Sequence, residues 1–281
     1  MSRAPLARTT VRDALDSALI ALTAAGAETP RLDAELLLAD ALGVDRAAVI
    51  AGPGREIEPL QARRFGEHVR RRVQREPVAY ILGRKGFRTI ELRVDGRVLI
   101  PRPETELLVE VALGLPAGAR VADVGTGSGA VALALKAERP DLSVVGTDLS
   151  HGALDVARAN AAALGLAVEF LHGDLLDPVA GPLDAVLANL PYVADGEHHL
   201  LAPEITRHEP AAALFAGDDG LDLIRRVVPQ AASGNVRLLA VEVGMGQAEE
   251  VAGLVRAAGF EEAEAVRDLA GIERVVVGRR V

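Results

Sequence analysis

Asn189-Leu190-Pro191-Tyr192 places an amide, a proline-stiffened bend and an aromatic ring at the end of the apolar run Ala185-Val-Leu-Ala188. Asparagine carries a carbonyl acceptor and an NH2 donor on one short stem. The backbone carbonyl beside it is a second acceptor. Two acceptors so close suit a planar NH2 group, which has two protons to give, so the chemistry implied is work on an amide or an exocyclic amine. The apolar run reads as a buried strand of a parallel sheet covered on both faces. Open α/β sheets bind ligands at the carboxyl ends of such strands.

A second motif bears on what that chemistry uses. Arg120-Val-Ala-Asp-Val-Gly-Thr-Gly-Ser-Gly129 reads as a strand, a glycine-rich turn and a helix beginning at Ala130. Gly125, Gly127 and Gly129 lack a Cβ, so the backbone can bend tightly and a ligand can lie against it. Leu142-Ser-Val-Val-Gly-Thr-Asp148 reads as a further strand ending in a carboxylate. Asp148 lies 23 residues beyond Gly125, about where an acidic residue grips a ribose diol in nucleoside-binding α/β folds. Gly125, Gly127 and Ala130 also fit the looser dinucleotide pattern, which leaves a nicotinamide enzyme open on the glycines alone. With Asp148 and the Asn189–Tyr192 turn added, the set points to S-adenosylmethionine.

With these motifs the chain resembles the release factor glutamine N5-methyltransferases, which methylate the glutamine of the Gly-Gly-Gln loop of peptide chain release factors. The likeness extends to Glu76-Pro-Val-Ala-Tyr-Ile-Leu-Gly83, Val98-Leu-Ile-Pro-Arg-Pro-Glu-Thr-Glu106, Glu209-Pro210, Gly217-Asp-Asp-Gly-Leu221, Glu242-Val-Gly244 with Gln247, and Asp268-Leu-Ala-Gly-Ile-Glu-Arg274. It covers residues 76–281 closely, and the amino-terminal part by helical character only. The resemblance implies a seven-stranded, Rossmann-like α/β methyltransferase fold with a small amino-terminal helical bundle. It implies that Gly125, Thr126, Gly127, Ser128 and Gly129 cradle the methionine and ribose parts of S-adenosylmethionine, and that Asp148 holds the ribose. Asp174 and Leu175 would meet the adenine. Asp123 would either cap the following helix or reach the cofactor ammonium through water. Asn189, Leu190, Pro191 and Tyr192 would bind the acceptor nitrogen, with Tyr192 packed against the glutamine. The family usually has proline where this chain has Leu190. Asn-Leu-Pro-Tyr is the form familiar from ribosomal RNA adenine dimethyltransferases, so an adenine N6-methyltransferase acting on RNA or DNA is the alternative.

Bulk properties narrow the choice. Residues 1–100 hold 17 basic and 13 acidic side chains, a balance of +4, and the remainder balances at −13. A catalytic part that acidic repels a phosphate backbone, whose neutralisation begins most nucleic-acid binding. Two Tyr, five Phe and no Trp offer few platforms for stacking single strands. Both facts favour a protein substrate, with no direct nucleic-acid contact. Without cysteine there is no disulfide, no thiolate nucleophile and no Cys-type zinc site, and the six histidines show no metal-ligand spacing, so no metal is expected. Met1-Ser-Arg-Ala-Pro-Leu-Ala-Arg8 leads into no clean apolar core, and no window approaches the ~20 apolar residues that span a bilayer. A cytoplasmic enzyme working as a monomer, without a membrane partner, is expected.

The elements that must position these residues are readable too. Thr10, Thr29-Pro30, Asp45 and Pro59 open helices that stop near Gly26, Gly43, Ala51 and Arg75, a bundle over residues 1–75 for substrate docking. Arg63, Arg64, Arg70, Arg71, Arg72 and Arg75 decorate the last helix, as a solvated face or a docking surface. Residues 76–100 read as a connector with a β-hairpin, Phe87–Val94 and Val98–Ile100 flanking the turn signal Asp95-Gly96. In residues 101–281, strands are expected near 119–124, 143–148, 167–171, 183–188, 236–243, 262–267 and 273–278. Helices between the first five imply a parallel, doubly wound sheet, and the last pair an antiparallel edge. Arg102 and Glu104 either border the site or form an ion pair at the entry to this domain.

Overall fold

A computed structural model describes residues 9–280. Residues 1–8, which carry the argument against a signal sequence, lie outside the described residues, as does residue 281. The chain divides into two compact units: one runs to Gly83 and takes in Ala202–His208, and the other holds Arg84–Leu201 and everything from Glu209 onward. Among the described residues no helix is long and apolar enough to cross a membrane.

The first unit is helical. Helix α1 (Val11–Ala24) starts with a capping box, in which Thr10 Oγ1 accepts from the Asp13 backbone N–H and the Asp13 carboxylate accepts from the Thr10 N–H. Helix α2 (Pro30–Leu42) has proline in its first turn and ends on Gly43, left-handed at φ 66°. Asp45 caps α3 (Arg46–Ala51), and α4 (Pro59–Val73) closes the bundle. Leu15, Leu22, Leu37, Leu38, Val49 and Phe65 fill its core. The arginines of α4 do not share one role. Arg63, Arg64 and Arg70 are exposed, whereas Arg72 is buried between Asp33 and Glu204. The unit extends past residue 75 because Val78–Leu82 forms a further helix, α5, between Pro77 and left-handed Gly83. Its five residues are too short to show helical periodicity. A later helix, α9 (Pro203–His208), completes the unit.

The second unit begins with a hairpin, β1 (Arg84–Phe87) and β2 (Ile90–Arg93). Its turn is Arg88-Thr89, not Asp95-Gly96. Arg88 takes φ 48°, its N–H donates to Glu106 Oε1, and its guanidinium is held by Glu138. This long-range anchoring overrides the weak local turn propensity of the pair. Asp95-Gly96 still bends the chain, with Asp95 accepting from Arg97 N and Val98 N, but Val98–Ile100 pairs with no strand.

Beyond it run α6 (Glu106–Ala112), β3 (Arg120–Val124), α7 (Ala130–Glu138), β4 (Ser143–Asp148), α8 (His151–Leu164), β5 (Glu169–His172) and β6 (Ala185–Ala188). Then follow α10 (Asp222–Ser233), β7 (Leu238–Glu242), α11 (Ala248–Ala257), β8 (Glu262–Arg267) and β9 (Glu273–Arg279). The sheet order is β5-β4-β3-β6-β7-β9-β8; β9 runs antiparallel to both its neighbours and the other pairs are parallel. This is the expected seven-stranded, doubly wound sheet, except that turns rather than a helix join β5 to β6. Successive residues of β3, β6 and β7 join alternate cores: Val121, Leu187 and Ala240 on one face, Ala122, Val186 and Leu239 on the other. Both faces are covered, so Ala185–Ala188 is apolar without alternation.

Register sets the functional geometry. Val124 pairs with Thr147 and with Ala188, Ala188 pairs with Val241, and Asp148 pairs with His172. One step further along each strand, Asp148, Gly125, Asn189 and Glu242 form a row across the carboxyl edge. The connection order reverses between β3 and β6, so Gly125 and Asn189 flank the switch point where such sheets bind ligands.

Candidate functional site

At that switch point lies a cavity of about 370 Å³ lined by Asp123, Gly125, Thr126, Gly127, Ser128, Asp148, Asp174, Leu175, Asn189, Leu190 and Pro191, among others. Gly129 and Tyr192 are absent from its wall. The glycine turn and the end of β6 touch directly. A Cβ on Gly125 would stand 3.0 Å from Leu190 Cδ2 and 3.5 Å from the Asn189 carbonyl oxygen, at φ 72°. At Gly127 (φ 55°) a Cβ would meet nothing nearer than 4.0 Å, and would stand in the open cradle instead. Only glycine serves both needs. Gly129, the N-cap of α7, is a packing position: a Cβ there would strike Leu133 at 2.9 Å.

On one side of the row sits the turn Asn189–Tyr192. Asn189 Nδ2 donates to Thr105 Oγ1 at 2.9 Å, which turns Oδ1 away from Thr105. Leu190 is buried, with its side chain against Gly125, so packing restrains the turn where a proline ring would otherwise do so. Tyr192 braces it from behind, its hydroxyl donating to Glu242 Oε1 at 3.4 Å. Burial, and then the Glu242 charge, push the Tyr192 hydroxyl pKa well up, so it stays a donor. Glu242 is 2% exposed, and its Oε2 is buried without a hydrogen-bond partner. Burial pushes its carboxyl up to about 7, and the Glu104 charge acts the same way; hydrogen bonds from Thr105 and Tyr192 and the Arg274 charge oppose the rise. Gln247 holds the far end, Nε2 donating to the Tyr192 and Asp219 carbonyls while Oε1 accepts from Gly244 N.

Gly220 shows how tight this clamp is. It sits at φ 77°, and a Cβ there would lie 2.1 Å from the Tyr192 carbonyl oxygen. Gly220→Ala is expected to cost about 2 kcal/mol of stability through the left-handed backbone and the clash. Urea unfolding would measure it, and turnover should fall more than binding in the cavity.

On the other side of the row is the carboxylate Asp148, whose Oδ2 accepts from Gly127 N at 2.9 Å and Oδ1 from Ser150 N at 2.8 Å. Burial raises its pKa, opposed by those backbone N–H groups. Both oxygens keep a lone pair for a diol. Asp123 lines the cavity and caps α7: its Oδ2 accepts from the Thr126 hydroxyl at 2.6 Å and from Ala132 N at 3.1 Å. Burial pushes it up to about 6. Thr126 therefore spends its hydroxyl on the loop, and the Ser128 carbonyl accepts from Asn160. Leu175 is buried at φ 48°, and its carbonyl accepts from the Thr147 hydroxyl. Asp174 pairs with Arg226. Leu149, Leu175, Leu223 and Pro210 supply apolar wall. Buried acceptors, a bare glycine cradle and apolar sides fit a nucleoside with a charged amino-acid tail.

Arg102 forms an ion pair with Glu209 at 2.6 Å, and Glu209 Oε2 also accepts from Ile100 N. Thr105 and the roles of Glu242 and Gln247 are additions to the residues expected from sequence. The register Ala188↔Val241 is the signal for Glu242, since it sets that residue level with Asn189.

Residues 13–83 match a family model described as the PrmC N-terminal domain, and residues 103–217 one described as a methyltransferase small domain. The chain is 42% identical over 275 residues to a release factor glutamine methyltransferase of Deinococcus radiodurans, covering 96% of this chain and 98% of that one. It is 42% identical over 272 residues to one of Rhodospirillum rubrum, covering 95% and 84%. A T. thermophilus 16S rRNA N2 methyltransferase, solved with AdoMet and guanosine, aligns with a TM-score of 0.51 at 17% identity, over 70% of this chain and 50% of that one. At that identity the likeness concerns the fold alone.

Proposed function

The chain belongs to the release factor glutamine methyltransferases, and from that membership we propose that Asn189 and Leu190 hold the side-chain amide of a release factor glutamine for methylation. The enzyme is a protein-(glutamine-N5) methyltransferase, and the glutamine is that of the Gly-Gly-Gln motif. The adenine alternative is not favoured, since the relatives matched along nearly the whole chain are named for a protein substrate.

S-adenosylmethionine, when bound, supplies an electrophilic methyl on a sulfonium. Asp148 would hold its ribose, the Gly125–Gly129 turn its ribose and methionine portions, and Leu149 and Leu175 its adenine, with Asp174 beside them. An amide nitrogen is a poor nucleophile because its lone pair is delocalised. Asn189 Oδ1 and the Leu190 carbonyl accept its two N–H bonds at about 2.9 Å. They fix its direction and stabilise the positive charge that grows on it. Pro191 stiffens the turn, and Tyr192 steadies it through Glu242. No strong base is needed, since an N-alkylated amide cation sheds its proton to water.

The observation that carries this reading is the 2.9 Å bond from Asn189 Nδ2 to Thr105, which commits the donor end of the amide and leaves the acceptor end for substrate. The test is a mass spectrum of release factor peptides after incubation with labelled donor, expected to show one added methyl on that glutamine. Methyl found only in RNA would refute it. Asp148→Ala is expected to weaken cofactor binding at least about tenfold, the scale of a lost hydrogen bond to a charged group, as read by calorimetry. One chain supplies the whole row, which supports a monomer, and a substrate of translation termination supports a cytoplasmic setting.

A further inference from the structure

We propose that Glu242 is a positioning residue that decides which way round the Asn189 amide lies, an inference that rests on the reading of Asn189 as the substrate's acceptor. Three observations converge. Glu242 ends β7 level with Asn189 across the sheet, through the pairing Ala188↔Val241. It is 2% exposed and keeps one carboxylate oxygen buried without a partner. Beside both stands Thr105, itself 4% exposed, whose Oγ1 accepts from Asn189 and which lies close enough to Glu242 to hold down the rise of its carboxyl pKa.

A hydroxyl has a single proton. Ionised Glu242 can only accept, so it draws that proton and leaves Thr105 Oγ1 as an acceptor. Asn189 must then present its NH2 to Thr105 and its Oδ1 to the substrate. Were position 242 to donate instead, the Thr105 proton would be free to turn toward Asn189 Oδ1. The amide would flip and confront the glutamine NH2 with its own NH2, a pairing of donor against donor. Tyr192 donates to the same carboxylate, so the turn and the amide answer to one group.

Protonation of Glu242 makes it a donor, so the device is sensitive to pH. The charged and titratable groups facing it are Glu104, Tyr192 and Arg274. With its carboxyl at about 7, ionised Glu242 and the productive amide prevail above neutrality and are lost as pH falls through that region.

The experiment compares wild type with Glu242→Gln, Thr105→Val and Thr105→Ser on a release factor substrate across pH 5.5–9, with cofactor affinity by calorimetry. The expected wild-type kcat falls with a single ionisation near neutrality. Glu242→Gln and Thr105→Val are expected to lose about 10- to 100-fold in kcat, the range found when partners that orient a metal ligand are removed. Both should lose the pH step and bind cofactor as wild type does, while Thr105→Ser restores rate and step. Glu242→Gln with wild-type kcat and an unchanged pH step would overturn the proposal. So would parallel loss of cofactor affinity, or a serine variant as poor as the valine one. A wild type that leaves the glutamine unmethylated would instead sink the reading of the site itself, a distinguishable result.

Discussion

Asn189→Ala is expected to lower kcat by about 10²- to 10³-fold, the scale for removing one preorganised group from a developing charge, while cofactor affinity changes little. Asn189 stands on the wall of the cavity at the end of β6, and its Nδ2 is bound to Thr105. On the proposed reading it is one of two acceptors for the glutamine NH2, the other being a backbone carbonyl that no side-chain substitution removes. Its loss leaves the nitrogen held by one bond and free to rotate. Asn189→Asp is the sharper companion. It keeps an acceptor but loses the donor to Thr105, and it sets a second carboxylate beside buried Glu242. It should be nearly as slow as the alanine variant, with any residual activity falling as pH rises and the new carboxylate ionises. Single-turnover kinetics with cofactor binding measured alongside would check both. Equal loss of binding and turnover would show that Asn189 serves the cofactor.

The second unit was largely legible because its signals are local. Buried strands are short apolar runs, and Gly125, Asp148 and Asn189 each sit where such a run ends. Parallel register then brings the ends together, and register follows from burial on both faces. The bundle was legible from its caps, Thr10, Pro30, Gly43 and Asp45. What stayed hidden depends on distant partners. Thr105 meets Asn189 across 84 positions of chain, and nothing near Thr105 announces that bond. Arg88 carries the hairpin turn because Glu106 and Glu138 hold it, against the stronger local signal of Asp95-Gly96. An aromatic ring after a strand end does not reveal that the Tyr192 hydroxyl will be drawn to Glu242. The arginines of α4 read as a surface feature, and periodicity alone does not single out Arg72 as the buried one.

That arginine gives the largest effect on stability. Arg72→Met is expected to destabilise the first unit by about 3–5 kcal/mol, the cost of breaking a buried ion pair from one side. Arg72 is 5% exposed, its Nε donates to Asp33 Oδ2 at 2.7 Å and its guanidinium also to Glu204 Oε1 at 2.7 Å. Asp33 comes from α2 and Glu204 from α9, so one side chain ties the late segment Ala202–His208 into the early bundle. Methionine fills much of the volume but leaves Asp33 buried without a cation, bonded to the Thr29 hydroxyl, while Arg75 still reaches Glu204. The pH dependence carries a definite sign. Burial tends to raise the Glu204 pKa, but the bonds from Arg75 and Arg72 outweigh it and hold it below the usual range. Its contribution is present above the unfolded carboxylate pKa and lost as pH falls through the lower folded value. The variant has less of this to lose, so the gap from wild type should narrow toward low pH. Urea unfolding of the full chain at pH 7 and pH 4.5 would measure the gap, and hydrogen exchange at Ala202–His208 should quicken most. If the gap is below about 1 kcal/mol, or widens in acid, the buried pairing is not what holds α9 to α2 and α4.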